Sequence, residues 1–494
     1  MTLRPSLTEF ECLAGQGNML PVYDEFSGDL ETPISLYLKI REEAYSFLLE
    51  SADSNKRLER YSTIGFDPLA VVRTFKGRVE VIEGEKVQSH PDQTNRLPIL
   101  RALARHYRPM PMPDLASFQG GWVGFFDYDL VRTWERLPDP TLGDETLPEA
   151  VFMAPRRLIV YDHLTHQVKV VVFALWNDQK DFKEAYTEAA RAVAETVQRL
   201  RQPGPEPEEA PVLSRLKSNF KQREFEEAVE KAKEYIRAGD IFQVVLSQKF
   251  SARIAGDDFM LYRALRRINP SPYLFYLHFD KTRMVGASPE IMVRLTNRKI
   301  EYRPIAGTRP RGGDAEEDVV LKQDMLQDAK ERAEHIMLVD LGRNDVGKVA
   351  EAGTVRVPHL MEVEYYSHVM HIVSQVEGRL RRDLDGFDLF MSVFPAGTVS
   401  GAPKIRAMEI IRELEPTRRG PYAGAVGFFA FNGDMDFCIA IRTLTIHEDR
   451  LSIQAGAGIV YDSVPEKEYE ETIKKAGALF RTLGLENLYD FDDR

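Results

Sequence analysis

Two glutamates one helical turn apart stand in the stretch of this sequence whose residue types most suggest chemistry. Glu331 and Glu334 belong to residues 329–346, A-K-E-R-A-E-H-I-M-L-V-D-L-G-R-N-D-V, a pattern that predicts a helix. At about 100° per residue, both carboxylates share one face of that helix with Leu338 and Leu341. Because the leucines are expected to be buried, the carboxylates are expected to face a cleft and not open water.

A second glutamate pair, Glu468 and Glu471, begins another predicted helix far downstream. Carboxylates from two helices that face one cleft supply the oxygen ligands that a hard cation such as Mg²⁺ takes. Each pair taken alone is more typical of a solvated, charged helix face. Glu471 and Lys475, at positions i and i+4, would in that case form a surface ion pair.

Two segments could contact an anionic ligand, one through free backbone N–H groups and the other through glycines that leave space beside a strand. Residues 397–404, G-T-V-S-G-A-P-K, lead into a helix with Pro403 in its first turn, and the free N–H groups of such a start suit a carboxylate or phosphate. Gly456 and Gly458 would let a ligand lie against a predicted strand. The first pattern is also typical of a structural loop, and the second of close packing between strands.

Two basic side chains lie within apolar predicted strands. Arg442, in C-I-A-I-R-T-L, costs free energy there unless it is paired or binds an anion. His371, in S-H-V-M-H-I-V-S, suits proton transfer, although a core histidine with satisfied hydrogen bonds is more common in such a strand.

The composition describes an ordinary globular chain of 494 residues, enough for two domains. The net charge of −12 argues against a nucleic-acid-binding surface. Cys12 and Cys438 are the only cysteines, which excludes a disulfide framework. No apolar run approaches the roughly 18–20 residues of a membrane span, and no signal sequence is recognisable, so we expect a cytoplasmic protein without a membrane partner.

The periodicity predicts an α+β fold with large, mostly antiparallel sheets packed with helices. A proline-rich acidic segment, residues 201–211, predicts a linker, so we divide the chain into domains at 1–205 and 206–494. Among the predicted elements are a long helix that begins near Glu316 and single strands over 299–305 and 436–446.

Seven motifs together resemble the chorismate-utilising enzyme family, and the chain as a whole is similar to the large subunits of anthranilate synthases. The similarity is nearly continuous over residues 215–485 and thinner before them, where L-L-E-S at 48–51 and R-Y-S at 60–62 match. The seven motifs are S-P-E at 288–290, P-I-A-G-T-R-P-R-G at 304–312, K-E-R-A-E-H at 330–335, L-V-D-L-G-R-N-D at 338–345, V-M-H at 369–371, G-T-V-S-G-A-P-K at 397–404 and Q-A-G-A-G-I-V-Y-D-S at 454–463.

The resemblance implies a Mg²⁺-dependent reaction in which ammonia adds to chorismate as the C4 hydroxyl leaves. Aminodeoxyisochorismate forms first and then loses pyruvate to give anthranilate, the first step of tryptophan biosynthesis. It implies Glu334 and Glu471 as direct Mg²⁺ ligands and Glu331 and Glu468 as an outer acidic shell, with Glu331 also counted among the catalytic residues.

The resemblance also assigns catalytic and substrate-binding residues. Glu290 is implied as the general acid for the departing hydroxyl, and His371 as an aid to that departure or to the later proton transfer. Residues implied to bind chorismate or fix its ring are Gly307, Thr308, Thr398, Tyr422, Arg442, Gly456, Gly458 and Lys475. Of these, Thr398 is also counted among the catalytic residues.

Two positions distinguish enzymes within the family. Ala306 stands where aminodeoxychorismate synthases resemble P-I-K-G-T, so the lysine nucleophile of those enzymes is missing here. Gln243 stands where isochorismate and salicylate synthases carry a lysine that activates water, and a neutral amide cannot act as that base. Both differences favour an enzyme that adds external ammonia.

The resemblance implies a partner and a regulator. Neither cysteine lies in a G-x-C-x-G elbow and the chain ends at Arg494 with no room for an amidotransferase domain, so a separate glutamine amidotransferase subunit is expected, in a heterotetramer with two copies of each. Feedback inhibition by tryptophan is expected at a separate pocket. The positions implied for that pocket are Glu50, Ser51, Asn269, Pro270, Ser271, Pro272, Tyr273, Leu274, Phe275, Phe428 and Cys438.

Two other functions stay open from the sequence. One is a sister enzyme that stops at aminodeoxyisochorismate because it lacks the elimination step. The other is a non-catalytic amino-acid sensor, which would be expected to have lost some of the four metal carboxylates, all of which are present.

Overall fold

The structure is a computed structural model that describes most of the chain. The described residues are 3–13, 17–52, 60–91, 97–110, 118, 120–138, 146–177, 181–206, 209–366, 369–485 and 491–492. The side chain of Cys12 and the terminal Arg494 lie outside this part.

The elements before residue 205 are four helices and eight strands among the described residues. The helices are α1 (Leu7–Leu13), α2 (Pro33–Leu38), α3 (Leu97–His106) and α4 (Phe182–Leu200). The strands are β1 (Met19–Ser27), β2 (Tyr45–Glu50), β3 (Tyr61–Phe75), β4 (Arg78–Glu83), β5 (Lys86–Pro91), β6 (Gly121–Phe126), β7 (Ala150–Asp162) and β8 (Gln167–Leu175).

The elements after residue 205 supply the remaining helices and strands. The helices are α5 (Gln222–Ala238), α6 (Phe259–Ile268), α7 (Ala315–Gln327), α8 (Ala329–Gly347), α9 (Gly386–Val393), α10 (Lys404–Leu414) and α11 (Pro465–Thr482). The strands are β9 (Val212–Leu213), β10 (Leu216–Ser218), β11 (Gln243–Ala255), β12 (Tyr273–Phe279), β13 (Thr282–Ser288), β14 (Ile291–Thr296), β15 (Lys299–Tyr302), β16 (Ile305–Pro310), β17 (Arg356–Tyr365), β18 (Val369–Arg379), β19 (Gly401–Ala402), β20 (Ala425–Ala430), β21 (Met435–Ile439), β22 (Thr443–His447), β23 (Arg450–Ile459) and β24 (Phe491–Asp492).

The strands form an extended, mostly antiparallel sheet system, which confirms the predicted α+β class. Hairpins such as β12–β13 and β22–β23 join neighbours in sequence, whereas β10 and β24 pair in parallel. Strands from both halves of the chain also pair with each other, β2 with β12 and β6 with β20. The boundary near residue 205 stays a prediction, and the two halves on either side of it share one sheet system.

Two hydrophobic clusters fill the interior on the faces of these strands. One contains Trp122 and Phe437, and the other contains Phe225 and Phe480, each almost without solvent exposure. Helix α11 packs its apolar side, including Phe480, in the second cluster. This packing fixes the rotation of α11 and thereby the direction in which its glutamates point.

Three predicted elements are broken in the structure. The long helix divides at Asp328, because this carboxylate accepts the N–H groups of Lys330 and Glu331 and so starts a new helix, α8. The strand predicted over 436–446 ends before Arg442, whose φ of 52° does not fit a strand. The strand over 299–305 divides between β15 and β16 at Arg303 and Pro304.

A smaller difference concerns the start of α10. Pro403 occupies the cap position before the first helical residue, Lys404, and not the first turn. Within the described residues, no helix combines the length and apolar content needed to cross a lipid bilayer.

Candidate active site

The first glutamate pair lies at the start of α8, where the Asp328 side chain caps the helix. Gln243 Nε2 donates to Glu334 Oε1 over 3.1 Å, and Arg309 Nη1 donates to Glu331 Oε1 over 3.1 Å. Burial raises the pKa of Glu334, and the charge of Glu331 adds to that rise. A cation beside these carboxylates would therefore stabilise their ionised forms.

The second pair lies in the first turns of α11. Burial raises the pKa of Glu468, while a hydrogen bond from Ser463 opposes the rise. Glu471 is half exposed and its Oε1 accepts Lys475 Nζ over 2.6 Å, the i,i+4 pair that its spacing predicted. Taken alone, this contact is a surface ion pair.

Two lysines place the glutamates of both helices around one space. Lys475 on α11 opposes the rise in pKa that burial causes at Glu334 on α8, and Lys330 on α8 does the same at Glu468 on α11. Charges act on a partly buried carboxylate more strongly than they do in water. The glutamates of each helix therefore lie within electrostatic reach of a lysine on the other helix, and we call the space between α8 and α11 the cleft.

The donor set of this cleft fits a magnesium ion that keeps several waters. In the described part of the chain, no three acidic, histidine or cysteine side chains converge tightly enough to hold a metal by themselves. Mg²⁺ is commonly held by only one or two carboxylates together with water and substrate oxygens. Glu334 and Glu471 meet that requirement if Glu471 exchanges its contact with Lys475 for the metal.

Glu290 is a buried carboxyl group beside Thr398. Burial raises the pKa of Glu290 to about 7, and Thr398 and Lys475 oppose the rise. Thr398 Oγ1 is buried, and among the described residues it makes no hydrogen bond of good geometry. This part of the site therefore contains a carboxyl group that can hold a proton near neutral pH, next to the hydroxyl of Thr398.

The tautomer of His371 follows from its hydrogen bond. Its Nδ1 lies 2.9 Å from the Gly307 carbonyl oxygen, which can only accept, so Nδ1 carries the proton. Burial lowers the pKa of His371 and favours the neutral ring, whose Nε2 then has a free lone pair. Thr308 Oγ1 lies 3.1 Å from the same Nδ1.

Gly307 brings this histidine close to the glutamates of α8. Its φ of +66° favours glycine, and a Cβ at this position would lie 3.2 Å from Glu331 Oε2. The turn at Gly307 thus places His371 and Glu331 on the same side of the cleft.

A wall of the cleft is formed by β23 where it pairs with β11. A Cβ added to Gly456 would lie 2.8 Å from Tyr422 Oη, and one added to Gly458 would lie 2.6 Å from Gln243 Nε2. Lys475 Nζ donates to the Gly456 carbonyl oxygen over 3.1 Å. Tyr422 and Gln243 therefore leave no space for a side chain at either glycine.

Arg442 supplies a buried cation near this wall. Burial lowers its pKa, Tyr422 opposes that shift, and in the described chain no carboxylate forms an ion pair with it. The charge of Arg442 also contributes to the lowered pKa of His371. A buried guanidinium without an acidic partner favours an anionic ligand.

The residues expected to bind tryptophan lie on and around β2 and β12. Leu274 pairs with Glu50 and Phe275 with Leu49, and Ala52 N donates to Ser271 O over 3.0 Å. Asn269, Pro270, Ser271 and Pro272 form the turn between α6 and β12.

The side chains of this group do not all face one space. Glu50 Oε2 accepts Tyr262 Oη over 2.5 Å and Arg266 Nε over 3.0 Å, and the buried Ser51 Oγ has no hydrogen bond among the described residues. Leu274 and Phe275 are buried in different core clusters, on opposite faces of β12.

Tyr273 connects the remaining two positions to this group. Its Oη donates to Asp436 Oδ1 over 2.8 Å, and Asp436 pairs with Phe428 across β20 and β21. Cys438, two residues further along β21, is fully buried, and burial raises the pKa of its thiol. The structure therefore joins Phe428 and Cys438 to Tyr273 through one strand.

Comparison with known proteins decides the family. The chorismate binding enzyme family matches residues 45–481, most of the chain. This protein belongs to the chorismate binding enzymes. Among members of that family, anthranilate synthase component 1 of Aquifex aeolicus is 46% identical over 98% of this chain and 99% of its own length. The component 1 protein of Acetivibrio thermocellus is 45% identical over 97% and 98%.

A solved structure points to the same family as these relatives. The crystal structure of anthranilate synthase component I from Streptococcus pneumoniae superposes with a TM-score of 0.76 at 37% identity, and covers 92% of this chain and 98% of that chain. The resemblance seen in the motifs and the predicted fold are both confirmed.

The structure adds contacts that the sequence of this chorismate binding enzyme did not assign to the site. Gln243, considered only as a marker of reaction type, bonds Glu334 directly. Arg309, within P-I-A-G-T-R, binds Glu331, Asp324 and Asp328. The only sequence signal for Arg309 was its place in a matched motif, because an arginine near acidic residues is common on any surface.

Proposed function

We propose that this protein is the chorismate-converting component of an anthranilate synthase, a lyase that produces anthranilate and pyruvate from chorismate and ammonia by way of aminodeoxyisochorismate. The relatives of nearly full length carry that name. The observation that carries the proposal is that Arg442, near Tyr422, is a buried cation with no carboxylate partner among the described residues, while the buried carboxyl group of Glu290 has a raised pKa.

Glu290 and His371 would perform the proton transfers. A carboxyl group with a pKa of about 7 is still protonated in a large share of molecules at neutral pH, and the negative charges of bound chorismate would increase that share. Glu290 then donates its proton to the C4 hydroxyl as it leaves, while ammonia adds at C2. Nε2 of the neutral His371 is available to assist this departure or to accept the proton removed in the elimination step.

The cationic and small residues would bind the substrate carboxylates. Arg442 offers a fork of N–H donors that matches a carboxylate, and Lys475 offers a point charge next to Gly456. The backbone at Gly456 and Gly458 allows the ring to lie close to β23, with Tyr422 at its edge. Thr308 and Thr398 provide hydroxyls for hydrogen bonds to the ring.

A Mg²⁺ ion would be held by Glu334 and Glu471, with Glu331 and Glu468 acting through water. The chemistry that Mg²⁺ supplies when bound is the neutralisation of charge at the ring carboxylate. Gln243 holds Glu334 in place through its amide, and Arg309 does the same for Glu331. These bonds keep the carboxylates oriented before the ion binds.

The ammonia source and the regulation belong to the same proposal. The term component 1 in the relatives' names implies a partner, which we take to be a glutamine amidotransferase subunit, in a heterotetramer located in the cytoplasm. Tryptophan, the end product, would inhibit by binding near β2 and β12. The buried hydroxyl of Ser51, which makes no hydrogen bond to any described residue, supports a ligand there.

The experiment that tests the function combines purified protein with chorismate, Mg²⁺ and ammonium chloride at pH 8.5 and monitors anthranilate fluorescence. Anthranilate and pyruvate in equal amounts are expected. Accumulation of aminodeoxyisochorismate alone would identify the sister enzyme, and isochorismate or unchanged chorismate would contradict the proposal.

A further inference from the structure

A buried ion pair lies directly behind the cleft, outside the residues assigned to it so far. Glu415 and Arg419 are four residues apart in the segment after α10, and their side chains are 4% and 1% exposed. Arg419 Nε donates to Glu415 Oε2 over 2.9 Å and its Nη2 to Oε1 over 2.6 Å. An ion pair so completely buried costs free energy unless its remaining protons and lone pairs are also satisfied.

The remaining bonds of the pair reach two segments that form the cleft. Arg419 Nη1 donates to the Val399 carbonyl oxygen and Nη2 to the Val245 carbonyl oxygen, each over 2.7 Å. The N–H and Oγ of Ser247 donate to Glu415 Oε1 over 2.9 and 2.7 Å. Val399 follows Thr398, and Val245 and Ser247 lie on β11 opposite the two glycines of β23.

The flat face of the same guanidinium lies over two tyrosine rings, and one of them, Tyr422, is a proposed chorismate-binding residue. The guanidinium centre lies 4.6 Å from the ring centroid of Tyr128 and 5.7 Å from that of Tyr422. Tyr422 Oη in turn faces Gly456. One buried ion pair therefore contacts the Val399 carbonyl next to Thr398, strand β11 opposite the two glycines, and the ring of Tyr422.

We propose that the Arg419–Glu415 pair is a positioning unit of the reaction, which holds Thr398 and Tyr422 at the substrate pocket. The planar guanidinium fixes the directions of its N–H groups, so it sets the distance between the Val399 and Val245 carbonyls. A lysine ammonium keeps the charge but cannot serve both carbonyls and both carboxylate oxygens in those directions. The effect is measured with chorismate as the substrate, so this inference rests on the proposed function.

The test compares Arg419→Lys and Glu415→Gln with wild type. For Arg419→Lys we expect about a hundredfold lower kcat/KM, the loss that a displacement of about 1 Å in an active site causes. KM for chorismate is expected to rise because Tyr422 moves. The alkaline limb of the kcat profile is expected to move to higher pH, because Thr398 no longer opposes the raised pKa of Glu290.

Glu415→Gln keeps an oxygen for Ser247 and for Arg419 and is expected to lose about tenfold or less. This milder variant also tests the inference if Arg419→Lys does not fold. Arg283→Lys is the control, because Arg283 forms a partly buried ion pair with Asp258, at 2.6 Å, and has no part in the proposed site. It is expected to lower Tm without changing KM or the pH profile.

Each outcome decides between positioning and stability. If Arg419→Lys and Glu415→Gln lower Tm and leave KM and the pH profile unchanged, as expected for the control Arg283→Lys, the pair is merely structural and the inference is wrong. Calorimetry measures the affinity for chorismate without turnover, so it detects the displacement of Tyr422 and Thr398 independently of the rate. Wild type that binds chorismate but makes no anthranilate would contradict the proposed function, while a weaker affinity of Arg419→Lys would still support the inference.

Discussion

The protonated state of Glu290 has a thermodynamic consequence that can be measured without substrate. Its pKa of about 7 in the folded protein lies above the ordinary value of 4.5 that applies to the unfolded chain. Between these values the folded state holds a proton that the unfolded state has released, so the free energy of unfolding falls as pH rises. The stability is fully present below pH 4.5 and lost as pH passes 7.

The magnitude follows from the same two pKa values. Their difference corresponds to about 3 kcal/mol at pH 8. Glu290→Gln removes the ionisable group and should recover this amount, less about 1 kcal/mol for hydrogen bonds that the amide makes poorly. We therefore expect the variant to be about 2 kcal/mol more stable than wild type at pH 8 and no more stable at pH 4.5, although it is inactive.

Thermal unfolding of both proteins from pH 4.5 to 8 measures this difference. For a chain of this length, 2 kcal/mol corresponds to a gain in Tm of about 2 °C. Glu227→Gln is the control, because Glu227 forms an exposed ion pair with Arg223 and should show no such trend with pH. A constant Tm difference between Glu290→Gln and wild type across this range would mean that Glu290 is ionised throughout, which refutes its role as the general acid.

The other residues of the site give three further predictions. His371→Ala should lower kcat by about a hundredfold or more. His371→Asn can still donate to Gly307 O, so it should keep the stability of wild type but remain as slow as His371→Ala, because it lacks the free ring nitrogen. EDTA should abolish turnover and Mg²⁺ restore it, while Glu334→Gln should raise the Mg²⁺ concentration required for half-maximal rate about tenfold or more. Ser51→Phe should abolish inhibition by tryptophan in a titration and leave the uninhibited rate unchanged; full inhibition of this variant would count against the pocket at β2.

The parts of the site that depend on local periodicity were predictable from the sequence. The spacing of Glu331 and Glu334 with two leucines indicated both the helix and the face on which the carboxylates lie. The same holds for the second pair, since α11 keeps its apolar side in the core. Local patterns of this kind carry the information because helix geometry alone converts spacing into direction.

The parts that depend on capping and on distant pairing were not predictable. Asp328 divides the long helix because its carboxylate bonds two N–H groups, whereas the sequence shows only one more acidic residue in an acidic stretch. Arg442 leaves its strand at a positive φ, a conformation that an arginine rarely adopts. The contact between Gln243 and Glu334 requires the register of β11, which is fixed by partners far away in the sequence.

The pairing of β6 with β20 affects how the chain folds during its synthesis. Phe126 lies opposite Ala425, about 300 residues later, so the N-terminal sheet cannot be completed until nearly the whole protein has left the ribosome. During that time the apolar strand β6, which is buried in the finished fold, presents an unpaired edge that invites aggregation. Nascent chains of this protein should therefore depend on chaperones more than the mature fold does, and a shortened chain that ends before β20 should be recovered as insoluble material.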